Sequence, residues 1–232
     1  MLSIRPANSR GQTRLDWLDS RHSFAFGDYQ NPDRLGLSNL RVINEDRIAP
    51  GGGFPMHGHQ DMEIVTWILD GALAHRDSLG NGAEIRSGNL QHMSAGTGIR
   101  HSEFNPSASA PTHLLQIWLL PNRAGVAPRY TERQFPAASR QDRLTLLVSP
   151  DGRDGSVGSH QDGLLSAALL APGARVETRL TNTGPGYLQV ASGQVQVGAT
   201  RLGPGDAACI DPGSRLTISG IEAAEILLFD LP

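Results

Sequence analysis

Four glycines in the first half of the chain, Gly51, Gly71, Gly88 and Gly96, find counterparts at Gly173, Gly193, Gly205 and Gly213 in the second. The first two pairs are offset by 122 residues and the last two by 117, so the second copy carries a hairpin shorter by five. Glycine marks unusual backbone conformations, so matched glycines imply matched turns and a chain built twice on one plan. The 27 glycines and 15 prolines are spread along the chain rather than clustered, which suggests many short strands punctuated by tight turns. The expectation is an all-β protein of two stacked β-barrel modules, residues 1–121 and 143–232, joined by a polar, proline-containing segment at 122–142. A chain of 232 residues is long enough to bury a core in each.

Strand-like segments recur throughout. Leu40 to Ile48 reads as a strand, as does Met62 to Leu69, with Asp70-Gly71 as a hairpin turn into ALAHRD. AEIRSG, LQHMSAG and HLLQIWLL follow, and the second half repeats the style in LTLLVS, LLSAALLAPG, GYLQVASGQVQV, DAACID and EILLFDL. Trp67 and Trp118 alternate with polar neighbours and are expected in the barrel core. Two short segments, Thr13 to Asp19 and Thr131 to Phe135, are the helix candidates.

Composition removes several function classes. The net charge is −3 and the 20 basic residues are scattered, so no basic stripe offers a footprint for direct nucleic-acid binding. No apolar run approaches the length that spans a bilayer, and the N-terminus lacks the apolar core of a signal peptide. The lone Cys209 excludes an internal disulfide and fits a reducing compartment, so a cytoplasmic protein is expected. Its place in the apolar DAACID makes Cys209 an expected buried, inert thiol.

The chemistry is concentrated in the histidines. Seven of eight precede residue 114, and the second half retains only His160. His57 and His59 are two apart, as are His101 and Glu103; on a strand that spacing puts both side chains on one face. Two such strands side by side bring four ligands to one point and leave other positions open. Three imidazoles and a carboxylate suit a divalent transition metal, with Fe, Mn, Ni, Cu, Zn or Co all compatible. Open positions are what a catalytic metal requires. Glu63, four residues beyond His59, would be in phase with it on a continuous strand and is the rival carboxylate. His75, His92 and His113 fall outside the pattern and are expected in structural or surface roles.

These pairs sit in a longer pattern. The run Gly51-x5-His57-x-His59-x3-Glu63 followed by Gly71 resembles the first cupin motif, and Gly88 through Gly96 to His101-x3-Asn105 resembles the second, with Ser94 where proline is usual. RHSFAFGDY, LRVINEDRIAPGGGFPMHGHQDMEI and SAGTGIRHSEFNP resemble pirin within the cupins, most closely over Arg21 to Pro121. The resemblance implies a bicupin and a metal held by His57, His59, His101 and Glu103, with iron foremost and Glu63 behind the ligands. His22 and Phe24 belong to the fingerprint without a derivable role. The implied activity is a quercetin 2,3-dioxygenase-type opening of an aromatic flavonol with O2, Glu103 accepting the substrate's proton. The alternative is a non-enzymatic, redox-responsive regulator acting through a protein partner. Carried across by the glycine offsets, the four ligand positions become Arg179, Thr181, Ile218 and Gly220. A second barrel without metal is therefore expected.

Overall fold

The computed structural model describes residues 2–232, which fall into two compact units. One comprises residues 10–134; the other combines residues 2–9 with 135–232. The first strand of the chain, β1 (Leu2–Arg5), thus belongs to the second unit. The first unit is built from β2 (Gly11–Leu15), β3 (Leu18–His22), β4 (Leu40–Ile48), β5 (Gly53–His59), β6 (Glu63–Asp70) and β7 (Ala72–Asp77). It continues with β8 (Gly82–Arg86), β9 (Asn89–Ser94), β10 (Ile99–Phe104), β11 (Thr112–Leu119) and β12 (Arg129–Gln134). Seven of these form one sheet in the order β12-β9-β6-β11-β4-β3-β2, and four form a second, β5-β10-β7-β8.

The second unit uses β13 (Thr145–Ser149), β14 (Val157–Gly158), β15 (Leu164–Leu170), β16 (Arg175–Arg179) and β17 (Gly186–Ser192). It adds β18 (Val195–Val197), β19 (Thr200–Leu202), β20 (Ala207–Ile210), β21 (Arg215–Gly220) and β22 (Ala224–Asp230), with one helical turn, α1 (Ala137–Arg140). Its sheets run β1-β20-β17-β22-β15-β13-β14 and β16-β21-β18-β19. The two units therefore match in strand number and sheet order, except that β14 runs parallel to β13 where β2 and β3 are antiparallel. Both are jelly-roll-like pairs of sheets rather than closed barrels. All eight glycines of the repeat have positive φ, between 46° and 83°. The shortened hairpin is also where the spacing puts it, β18–β19 in place of the longer β7–β8.

Several expectations are corrected. The segment 122–142 is not a plain linker, because β12 lies within it and pairs with β9 over Arg129 to Gln134. In the second unit β1 holds the corresponding edge, against β20. Thr13 to Asp19 is a β-hairpin, and Thr131 to Phe135 lies mostly in β12; edge pairing outweighs their weak helical pattern. Asp70-Gly71 is a corner rather than a hairpin turn. β6 stays in the large sheet while β7 pairs with β10 and β8 in the small one. A side chain at Gly71, with φ of 77°, would strike the backbone at Pro111 and Thr112. Cys209 is half-buried, not buried, on the short strand β20.

The second unit has one large apolar cluster, including Leu188, Val190, Val195, Ile218 and Ile226. The first unit is different. His22, Asn44, Gln116, Thr66 and Gln91 are successive cross-strand neighbours in its large sheet, and all are buried. This polar row requires internal hydrogen bonds, because buried polar groups without partners are costly. Among the described residues no helix is long and apolar enough to cross a membrane.

Candidate metal centre

β5 and β10 are antiparallel neighbours with His57 opposite His101 and His59 opposite Ile99. The two-residue period of β5 keeps His57 and His59 on one face. Their ring centroids are 4.8 Å apart, with His57–His101 at 4.5 Å and His59–His101 at 5.0 Å. One ring nitrogen from each lies within 4.8 Å of the others.

The donor set fits a transition metal. Both ring nitrogens of His101 are buried without a hydrogen-bond partner, an arrangement that a bound cation relieves. Nδ1 of His57 lies 2.8 Å from the Pro55 carbonyl, to which it must donate, so its Nε2 carries the lone pair. Burial, reinforced by the His57 charge, lowers His59 to about 4. Burial with the neighbouring imidazoles lowers His101 to about 2. Neutral imidazoles are the form that ligates a metal.

Glu103 is placed differently from its sequence partner. The β5–β10 register shifts between His101 and Glu103, bringing Glu103 opposite Phe54 on β5 and His75 on β7. Its Oε1 is 3.9 Å from His101 Nδ1. Gln91 Nε2 donates to Oε1 and Gln116 Nε2 to Oε2, each at 2.9 Å. Thr66 ties the amides together, donating to Gln116 at 2.9 Å and accepting from Gln91 at 3.1 Å. Burial pushes the Glu103 carboxyl up to about 7, opposed by the Gln91 hydrogen bond and helped by the charge of Asp46. A second ligand-like set, His75, His101 and Glu103, shares His101 with the first.

Glu63 is elsewhere. β5 ends at His59, the chain turns at Asp61 with φ of 45°, and β6 begins in the other sheet. The phase that would carry Glu63 to the histidines is thereby broken. Its carboxylate accepts from His92 Nε2 at 2.8 Å and Ser94 Oγ at 2.5 Å. The place behind Glu103 belongs to Gln91 and Gln116, which sequence reasoning missed. Their signal was a polar residue inside an apolar strand, in LLQIW and NLQHM. His75 fills a structural role as expected: it stacks on Tyr130 at 4.6 Å and reaches Asp77 at 3.2 Å. His92 and His113 do fill structural roles, on Glu63 and Glu45.

The His57, His59, His101 and Glu103 side chains line a cavity of about 470 Å³. Trp17, Phe26, Phe54 and Trp118 form its aromatic walls, while Ser20, Asn44 and Asp46 face it from β3 and β4. Trp118 is therefore a cavity wall, edge-on to His59 at 4.9 Å, and only Trp67 is fully buried core.

Both ligand-like sets lie in residues 10–134. The second-unit positions are not assembled as the glycine offsets imply. β16 and β21 pair Arg179 with Arg215 and Val176 with Ile218. Thr181 lies beyond β16 and donates to Asp230 at 2.9 Å. Matched turns do not fix the register between them, because a strand shift of one or two residues leaves the turns in place.

Comparison with known proteins agrees with this architecture. The family model described as Pirin matches residues 3–119, and that of the quercetinase C-terminal cupin domain matches 146–231. The quercetin 2,3-dioxygenase of Escherichia coli K12 is 42% identical over 232 residues, covering 100% of this chain and 99% of the relative. A pirin-like protein of Caulobacter vibrioides is 37% identical over 231 residues, 99% of each chain. The crystal structure of E. coli YhhW superposes with a TM-score of 0.95 at 42% identity, covering 100% of this chain and 98% of that one. The crystal structure of bacterial pirin YhhW in complex with nickel(II) gives 0.94 at 41% identity, covering 100% and 99%.

Proposed function

The chain belongs to the pirin family, and from that membership we propose that it is a metal-dependent dioxygenase that opens a flavonol of the quercetin type with O2, releasing carbon monoxide. The observation that carries the reading is His101, buried with both nitrogens unpartnered beside His57 and His59 in an aromatic-walled cavity. His57, His59, His101 and Glu103 are the proposed ligands. A divalent ion, with iron foremost and Mn, Ni, Cu, Zn or Co as alternatives, supplies Lewis acidity that lowers the pKa of a hydroxyl in its open positions. The nickel(II) complex of the E. coli relative supports a divalent ion.

The remaining work falls to the chain. Trp17, Phe26, Phe54 and Trp118 offer ring faces and edges to a planar aromatic substrate and keep water out. Glu103 takes the proton of the flavonol 3-hydroxyl, and the amides of Gln91 and Gln116 hold its carboxylate in place for that transfer. Removing that proton leaves the electron-rich anion on which O2 acts. A cytoplasmic setting is part of the same reading, consistent with a single free cysteine.

The test is oxygen consumption and carbon monoxide release with quercetin, using protein loaded with each candidate metal and the metal-free protein as control. Turnover only in metal-loaded samples is expected. No consumption by any loaded form would overturn the enzymatic reading and favour a non-enzymatic role through a protein partner.

A further inference from the structure

Two acidic groups on the cavity lining have no part in the ligand set, the exposed Asp28 and the buried Asp46. Asp46 lies on β4 directly opposite Ser20 on β3 and is 2% exposed. It lines the same cavity as His57, His59 and His101. The Ser20 hydroxyl hydrogen-bonds its carboxylate, while Oδ1 is buried with no partner at all. By elimination Ser20 holds Oδ2. An unsatisfied buried carboxylate oxygen costs free energy, and a cavity-lining one is satisfied when a ligand brings a donor.

Neighbouring groups are already committed. His22 is held on both nitrogens, by Thr13 at 2.8 Å and Asn44 at 2.7 Å. Glu45, next along the strand, accepts from Arg10 at 2.7 Å and His113 at 2.9 Å. On β11, the strand beside β4, the cavity-lining Trp118 has its Nε1 as a second buried atom without a partner, and it is a donor. Asp46 and Trp118 thus each bring an unpartnered polar atom, one acceptor and one donor, to a lining with aromatic walls, a pairing suited to a polyhydroxylated aromatic molecule.

We propose that Asp46 is a specificity-determining residue whose Oδ1 accepts a hydrogen bond from a ring hydroxyl of a phenolic substrate, at a position other than the hydroxyl that meets the metal. This rests on the proposed flavonol activity and deepens it. Burial pushes the Asp46 carboxyl up to about 6, with the Ser20 hydrogen bond opposing and the Glu45 charge adding. A donor from substrate would offset part of that cost.

Asp46→Asn provides the test. Ser20 donates, so it retains the carbonyl oxygen of the new amide and turns the NH2 into the cavity. The acceptor facing the substrate becomes a donor. Dissociation constants are measured anaerobically, by flavonol absorbance, on metal-loaded wild type and variant with quercetin and its single methyl ethers. The wild type is expected to prefer hydroxyl over methoxy at one ring position by about tenfold or more, the size of a hydrogen bond to a charged group. The variant is expected to lose that preference, because its NH2 donates to a hydroxyl or a methoxy oxygen alike, whereas a steric effect of the methyl group would persist.

A variant with wild-type metal content that keeps the original preference would overturn the proposal. Should the variant not fold, a crystal structure of the wild type with its best-binding flavonol decides. A ring hydroxyl within hydrogen-bond distance of Asp46 Oδ1 supports the assignment, and none there overturns it. Oxygen uptake on the same samples separates the two readings. Turnover with an unchanged preference removes the role of Asp46 alone, and no flavonol binding by the wild type removes both.

Discussion

Gln116 donates its side-chain amide to Glu103 Oε2 at 2.9 Å, across a sheet interior in which both residues are buried. A carboxylate so deep would otherwise be forced toward its neutral form, so the amide sets how Glu103 is held and how readily it ionises. Gln116→Leu is expected to lower the stability of the metal-free protein by about 1.5–3 kcal/mol. It should also reduce flavonol turnover while leaving the three histidines in place. Denaturant midpoints and oxygen uptake check this; wild-type values for both would refute a holding role.

Metal retention should depend unequally on the histidines. His57→Ala and His59→Ala each remove one of three converging nitrogens, whereas His101→Ala removes the residue common to both ligand-like sets. All three are expected to lose most bound metal, His101→Ala the most completely. Elemental analysis after dialysis decides, and full stoichiometry in any two variants would contradict the ligand assignment.

The two carboxylates should separate cleanly. Glu103→Gln is expected to weaken metal binding and abolish flavonol turnover. Glu63→Gln disturbs a buried cluster with His92 and Ser94, so its cost should fall on stability, roughly 1–3 kcal/mol. Metal content, turnover and melting temperature of both variants test the contrast. A larger metal loss from Glu63→Gln would reverse it.

Acid sensitivity should trace in part to Glu45. Burial works to raise its carboxyl, but hydrogen bonds from His113 and Arg10, together with the Arg10 charge, outweigh burial and hold it at about 2. A depressed folded-state value means the contribution is present above the ordinary 4.5 and is lost as pH falls from there toward 2. The whole loss is on the order of 3 kcal/mol. Glu45→Gln should therefore be the less stable protein at pH 7 and show a flatter decline below pH 5. Equal slopes for variant and wild type would exclude the assignment.

The repeated glycines disclosed the two-unit plan because a turn needing positive φ leaves its mark on the sequence directly. Strand β4 was equally legible, since Leu40 to Ile48 is bounded by turns and long enough to span a sheet. The histidine pairs were legible through the strand period. Asp46, Gln91 and Gln116 were not, because a buried polar residue and a solvent-facing one produce the same alternation. Glu63 misled by its phase, which holds only if the strand continues; the turn at Asp61 breaks it. The pairing of β1 with β20 was invisible for a third reason. Strand pairing across most of the chain length leaves no local signature.

The pairing of β1 with β20 dictates an order of assembly. Ile4 pairs with Ala208, so β1 is synthesised about 200 residues before the strand it joins. At typical elongation rates of about 5–20 residues per second, it waits roughly 10–40 s without a partner. The unit spanning residues 10–134 has all its strands long before then, leaving the nascent N-terminal segment as the last piece fitted to the later unit. A nascent chain that has emerged from the ribosome through residue 134 should hold one folded unit and one unpaired leading strand. An affinity tag fused ahead of Leu2 should tax the folding of the far end of the chain rather than the end that carries it.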